Sequence, residues 1–437
     1  MGTGLGITTG ERWFCISVQP IGVSYTADIQ ALDQGDAGYD RDAKAPFATT
    51  DGPQRHASYA ALAAAARVHR IMLPTGQSAW LITGYDEARH ALADPRLVKS
   101  EVTAANTGRG LLPGEVYAAM GSHMLNRNPP DHTRLRRLVA TAFTRRRIDQ
   151  LTPRIQQITN ELVDAMVTDA HLDLIDSFAL PLPITVICEL LGVPTGRRRE
   201  FHDWTSIVLA GVLAGPDKLI AAATAMVSYL RELVEAKRAV PTDDLLSALV
   251  AARDGEDRLS EDELTSMVFL ILVAGHETTI HLIGSGVLSL LTHPQQLALL
   301  RTEPHRLPDA VEELLRFNGP LQVATFRLTT EPIDIGDVTI PTGEIVLVGL
   351  LAANRDPTCF AQADALDITR TDNPHLAFGH GLHHCLGAPL ARLEARIALG
   401  TLLARFPGLR LAVPAEQLTW RPGVLLNSLV ALPVNLR

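Results

Sequence analysis

The chain has 437 residues, 46% hydrophobic and 20% charged, with a formal net charge of −9. It can bury a large core, and its acidic balance argues against a general nucleic-acid binder, which needs a basic surface. The four cysteines, Cys15, Cys188, Cys359 and Cys385, show neither paired nor CxxC spacing; this speaks against a disulfide framework or zinc ribbon and fits a reducing cytoplasm.

The opening MGTGLGITTGERWFC lacks the basic and apolar regions of a secretory signal, and no uninterrupted apolar run reaches about eighteen residues, so neither export nor a membrane span is expected. Residues 1–50 are polar and glycine-rich with weak periodicity and read as an extension outside the main fold. Residues 58–68 are alanine-rich and helical, 69–73 and 79–83 read as strands around Pro74-Thr75-Gly76, and 85–92 as a short helix. Residues 101–120, with Gly108, Gly110, Pro113 and Gly114, read as a loop able to move.

Helical periodicity then runs through 131–143, 153–167, 183–191 and 221–237. Ser260 and Glu263 make a Ser-x-x-Glu capping box before a long helix that Pro294 stops, a span on the order of 48 Å at 1.5 Å per residue. Residues 307–317 form another helix, and 333–335, 338–340 and 345–348 short strands, with a helix after Cys385 and a strand-like tail over 423–436. Length alone suggests two or three domains, but no repeat or linker divides the chain. One mainly α domain over 51–437, with a small β-rich lobe, is expected.

Two stretches carry chemistry. In the long helix, Ala274-Gly275-His276-Glu277-Thr278-Thr279 sets Ala274 and Thr278 on one face, where a threonine bonding back to the i−4 carbonyl loosens the helix. Gly275 weakens the same turn and admits close approach of a ligand, and Glu277 is costly to bury without a proton or a partner. A widened groove with a hydroxyl beside an acid suits proton delivery in dioxygen activation; a polar kink in a core helix is the other reading. The second stretch is Phe378-Gly379-His380-Gly381-Leu382-His383-His384-Cys385-Leu386-Gly387. Leu386, Leu390, Leu393 and Ile397 recur at helical spacing, so Cys385 stands at or just before a helix N-terminus, which favours an anionic sulfur. The glycines leave room for a flat ligand, and a thiolate so held suits axial ligation of haem iron; a lone cysteine also reads as an inert core residue.

The spacing Phe-Gly-x-Gly-x-His-x-Cys-x-Gly resembles the haem-binding signature of the cytochrome P-450 monooxygenases, and the hexapeptide resembles their oxygen-binding motif. Glu313-Leu314-Leu315-Arg316, by itself an ordinary i,i+3 surface pair, matches the family's Glu-x-x-Arg, and Asn354-Arg355-Asp356-Pro357 a common family turn. The resemblance runs from about His56 to the C-terminus. It implies the single-domain P-450 fold, with a b-type haem between the long central helix and the helix of its ligand Cys385, against Ala274, Gly275, Phe378 and Gly379. His132, Arg136, Arg327 and His383 match propionate-binding positions; His132 and Arg136 are i,i+4 and can point the same way. Glu277 and Thr278 match the acid and alcohol, and Glu313–Arg316 a buried lock on a downstream segment through Arg370. Asn128 departs from the pattern, standing where relatives often have aspartate.

The resemblance also implies a reaction and its partners: one atom of O2 enters a C–H bond of a bulky lipophilic molecule such as a polyketide, macrolide or steroid. Electrons come from NAD(P)H through a ferredoxin reductase and a ferredoxin, which Arg134, Arg137, Arg145, Arg146 and Arg147 would steer to the thiolate side. A cytoplasmic monomer is expected, with no membrane or nucleic-acid partner. By analogy the pocket is lined by 101–120, 195–219, Leu272, Val273, 321–325 and 424–426. Two other readings stand beside this one. A peroxide-driven peroxygenase is disfavoured by the retained Glu277-Thr278. A non-catalytic haem or metal binder would use His375, His380, His383, His384 and Cys385, a set that fits tetrahedral zinc poorly.

Overall fold

The computed structural model describes residues 46–99, 111–140, 143–254 and 259–437. The first 45 residues of the expected extension and residues 101–110 of the expected loop lie outside them.

The fold is organised around the long helix Glu261–Thr292, 32 residues. Its start is fixed reciprocally: the Ser260 hydroxyl accepts from Glu263 N at 3.0 Å, and Glu263 Oε2 accepts from Ser260 N at 2.9 Å. The first half, from Leu264 to Val273, packs in an apolar core with helices Pro181–Leu191, Pro216–Ala239 and Leu245–Asp254. The second half, from Ile280 to Leu290, belongs to another core with Arg145–Met166, Leu307–Asn318 and Ala388–Arg405. The polar hexapeptide falls in the gap between the two. Between Leu264 and Leu290 only Ala274, Gly275 and Thr278 are not buried. By length and composition this helix passes for a membrane span, at mean hydropathy 1.5, because an average tolerates His276 and Glu277 where an uninterrupted run does not. Yet 83% of its apolar stretch is buried inside the protein, so its apolar surface already has a protein partner.

The β-rich lobe is a five-stranded sheet. Val68–Met72 pairs antiparallel with Ser78–Ile82, which lies parallel to Ile345–Val348. That strand pairs antiparallel with Arg327–Thr329, whose far edge carries Leu97–Val98 with Val98 opposite Leu328. This edge brings Lys99 to Arg327. Ile333–Ile335 and Val338–Ile340 form a separate hairpin turning at Gly336, φ +58°. The mainly α architecture with a small β lobe is as expected.

Several elements depart from the sequence reading. Residues expected as loop at 111–120 include the helix Gly114–Gly121. The helix expected to start at Pro153 begins at Arg145 and runs through the proline, because Ile148, Ile155, Ile158, Val163 and Met166 keep one continuous buried face on both sides of it. Helices Arg198–Ala210, Leu245–Asp254 and Pro294–Thr302 were not anticipated. The tail is strand only at Pro433–Asn435.

Glu313 and Arg316 are the buried lock that the resemblance implies. Both side chains are 0% exposed, and Arg316 Nε and Nη2 each donate to the carboxylate at 2.8 Å. Arg316 also donates to the carbonyls of Asn354 (3.0 Å), Ala363 (2.7 Å) and Ala365 (2.8 Å). Glu313 accepts from Asp367 N (2.9 Å), Arg370 Nε (3.1 Å) and Asn373 Nδ2 (3.2 Å). Removing one partner strands the other's charge in the interior, so Glu313→Gln or Arg316→Met should cost about 3–5 kcal/mol, read from urea denaturation of the variants against the parent.

Candidate active site

Cys385 N donates to Phe378 O at 2.9 Å, closing a loop that Gly379 and Gly381 turn with φ of +72° and +69°. A Cβ on Gly381 would stand 3.0 Å from both Ala93 Cα and Leu92 O, so the loop packs on the neighbouring helix only with glycine there. Arg392 clamps the loop from below: it is bidentate to Glu312 at 2.7 Å, and its guanidinium lies 4.5 Å from the centre of the Phe378 ring. The helix beyond begins at Ala388.

The sulfur faces a cavity with about 1450 Å³ of empty space, part of it open to solvent, and Ala274, Gly275 and Thr278 line the same cavity. Burial pushes the Cys385 thiol up, and the N–H groups of Gly387 and Ala388 with Arg136 and Arg392 only partly offset it. A cation bound to the sulfur would favour the thiolate expected from the sequence, since metals deprotonate a coordinating thiol outright.

Across the cavity, Thr278 Oγ1 donates to Ala274 O at 2.9 Å, the expected back-bond. Gly275 lines the cavity, and a Cβ there would meet Ile187 Cδ1 at 2.8 Å, so the missing side chain also admits a neighbouring helix. Leu270 and Ile271 line the cavity in place of Leu272 and Val273, because positions i−4 and i−3 share the face of Ala274. Leu321, Ala324 and Thr325 line it as expected, whereas residues 424–426 and the described part of 195–219 do not.

Glu277 is 2% exposed and lies behind Thr278, outside the cavity lining. The partner it needs is a set of histidines: His202 Nδ1 at 3.2 Å, His276 Nε2 at 3.5 Å and His281 Nε2 at 3.7 Å. Burial pushes its carboxyl up, but these three histidines outweigh burial and hold it well below the usual range.

The remaining candidates converge at one rim of the cavity. His132 is buried with neither ring nitrogen hydrogen-bonded, and its ring meets that of His383 edge-on at 4.6 Å. Arg136 donates to His384 O at 2.8 Å. Arg327 is 3% exposed, its Nη1 has no partner, and burial lowers its guanidinium to about 10. The sequence reading missed Lys99, which donates to Thr325 O at 2.8 Å and Phe326 O at 2.8 Å and is held far below its ordinary range by burial and by Arg327. Burial, then Lys99, His132, Arg327 and Arg136, push His383 down to about 2; every charged neighbour in that set is a cation. Asn128 explains its own departure: its amide accepts from Lys99 N at 2.8 Å and donates to Lys99 O at 2.6 Å, which an ionised aspartate cannot do.

A family model described as Cytochrome P450 matches residues 217–417. The chain is 52% identical to cytochrome P450 107B1 of Saccharopolyspora erythraea, over 84% of its own length and 92% of the relative's. The chain belongs to the cytochrome P450 family. It is also 46% identical to the P450 monooxygenase PikC of Streptomyces venezuelae, over 94% of this chain and 96% of that one. Among solved structures, the tirandamycin C-bound P450 monooxygenase TamI aligns with a TM-score of 0.83 at 48% identity, covering 89% of this chain and 98% of that one. The protein is thus a haem-thiolate monooxygenase of the type that acts on small lipophilic substrates with dioxygen.

P450 membership implies haem b, and the residues present fit it. The cavity joins a cysteine loop cleared by glycines to a helix groove, and its cationic rim, with unpartnered buried donors on His132 and Arg327, calls for the two carboxylates that a haem carries. The competing metal set of Cys385 with nearby histidines does not assemble: His375 is paired with Glu312 Oε2 at 3.1 Å and His383 packs on His132.

Glu394 is a further buried acid on the cavity wall. It is 1% exposed, its Oε2 has no partner, and burial raises it to about 8. The folded chain keeps this proton where the unfolded chain, titrating near 4.5, has lost it, so stability falls as pH rises from 4.5 to 8 and this group costs nothing more above that. Glu394→Gln should remove this part of the slope, at most about 1.4 kcal/mol per pH unit, visible as a difference in urea midpoints between pH 5 and pH 8.

Proposed function

We propose that Cys385 would hold a haem b through its sulfur and that His132, Arg136, Arg327, His383 and Lys99 would receive its carboxylates. In this reading Phe378 and Gly379 flank the cysteine face, and Ala274 and Gly275 keep the opposite face low. When bound, the haem supplies activation of dioxygen and insertion of one oxygen atom into a C–H bond, the other leaving as water. Thr278, having donated its own hydrogen to Ala274 O, offers its oxygen as an acceptor at the cavity wall. Glu277, a carboxylate among three histidines, holds and passes the protons that the reaction consumes. One observation carries the proposal: the Cys385 sulfur and the Ala274–Thr278 groove face the same cavity, at whose rim Lys99, His132, Arg136 and Arg327 gather around His383.

The substrate in this reading is a bulky lipophilic molecule of the polyketide, macrolide or steroid kind, hydroxylated or epoxidised. The aliphatic wall of Leu270, Ile271, Leu282 and Leu321 supports it, as do the names of relatives. These include a vitamin D(3) 25-hydroxylase of Pseudonocardia autotrophica, 45% identical, and a mycinamicin IV hydroxylase/epoxidase of Micromonospora griseorubida, 43% identical. Electrons arrive from a ferredoxin and its reductase. Arg145, Arg146 and Arg147 stand exposed at a helix start and suit an acidic donor, while Arg134 is engaged by Glu263. The protein acts as a cytoplasmic monomer over residues 51–437, to which Phe47 also belongs, since it is fully buried in the core with Gly423 N donating to its carbonyl at 2.9 Å.

Reduced protein under carbon monoxide should show the strongly red-shifted Soret band of a thiolate trans to the gas, and Cys385→His should abolish the shift while haem is retained. Colourless protein after expression with ample iron and porphyrin precursor overturns the reading. Thr278→Ala should lower product formed per NAD(P)H oxidised by roughly tenfold or more while released hydrogen peroxide rises.

A further inference from the structure

On the side of the central helix away from the cavity lining, the buried polar atoms around Glu277 face one another without hydrogen bonds. His276 is 0% exposed and its Nδ1 lies 2.7 Å from Leu272 O, a contact that only a protonated nitrogen makes. Nδ1 thus carries a proton, and Nε2 is the nitrogen left to face Glu277. That nitrogen is 3.5 Å from Glu277 Oε1, and the same oxygen is 3.2 Å from His202 Nδ1 on the helix Arg198–Ala210. None of the three atoms has a hydrogen-bond partner, although each is buried. Buried nitrogens and a carboxylate oxygen this close are drawn together by a cation shared between them, a proton or a metal ion.

We propose that His202, His276 and Glu277 form a zinc site. Bonds of about 2.0–2.1 Å in a tetrahedron set ligand atoms about 3.3–3.4 Å apart, and the two observed separations, 3.2 and 3.5 Å, fall either side of that spacing. The third pair also lies within 4.8 Å, and His202, on its own helix, supplies the remaining adjustment. Two imidazole nitrogens and one carboxylate oxygen suit a borderline ion such as Zn²⁺ and not Mg²⁺ or Ca²⁺, which take oxygen ligands. His281 Nε2, 3.7 Å from the other carboxylate oxygen, stands where an outer partner orients a metal-bound carboxylate. The His202 side chain is 16% exposed and gives the ion a way in. Elsewhere among the described residues, no other group of three such side chains comes this close together.

The site has a consequence that rests on the proton-carrying role proposed for Glu277. Turnover with dioxygen takes two electrons and two protons from outside for each substrate oxidised, yielding product and water; hydrogen peroxide brings the same electrons and protons with the oxygen. Zinc on Glu277 occupies the carboxylate and stops the external proton supply. It therefore inhibits dioxygen-driven turnover and spares peroxide-driven turnover.

The haem-loaded protein, stripped of loose metal by chelator, is mixed with zinc chloride, gel-filtered and assayed for zinc per haem. One zinc per chain is expected, with the Soret band and the carbon monoxide band unmoved. Isothermal titration should show at least tenfold weaker zinc binding for His276→Ala and for His202→Asn. The second change is at a partly exposed position and leaves the central helix intact. No retained zinc, or binding unchanged in the two variants, overturns the site. Zinc that binds at one per chain but slows both oxidants equally, or neither, leaves the site standing and overturns the proton-carrying role.

Discussion

The cysteine side of the cavity hangs on one buried ion pair. Glu313 and Arg316 saturate each other and then reach across to the chain between Asn354 and Asn373, the stretch that leads into the Cys385 loop. Asn354 continues the chain of contacts by accepting from Leu376 N at 2.7 Å. A surface pair at the same spacing would be nearly worthless. In the interior it cannot be half kept, and this makes the path of an irregular segment as definite as that of a helix. Arg392, Glu312 and Phe378 then carry that rigidity to the loop itself.

Two walls of the site solve opposite electrostatic problems. At the rim, Lys99, Arg136 and Arg327 crowd His132 and His383 with no acid among them, so the folded protein carries buried positive charge that an anionic guest relieves. Behind Thr278 a single acid is wrapped by three imidazoles, so negative charge is kept in the interior. Each wall is costly by itself, and each has its reason in the molecule that fits between them.

The parts of this arrangement visible in the sequence are those encoded locally. The hexapeptide stands out because it breaks an apolar helix, and the Cys385 loop because glycines punctuate it just before helical spacing resumes. The capping box at Ser260 marked the central helix start to the residue. What was not legible depends on contacts between distant segments. Lys99 gains its place from the pairing of Val98 with Leu328 across the sheet, and nothing around position 99 announces that. His202 reaches Glu277 from a helix with only Phe201 and Thr205 buried, too thin an apolar stripe to read as helix. Arg145–Met166 hid about its first two turns because a proline usually marks a helix start, and here long-range packing overrides it.

Gly275 shows how an apparent vacancy for a ligand is filled by the protein. Ile187 sits in its notch, and Ile187 also borders the cavity. A guest that leans on those methyl groups leans on the backbone one turn ahead of Thr278. The helix Pro181–Leu191 thus ties the girth of the chamber to the stretch of backbone that carries the hydroxyl.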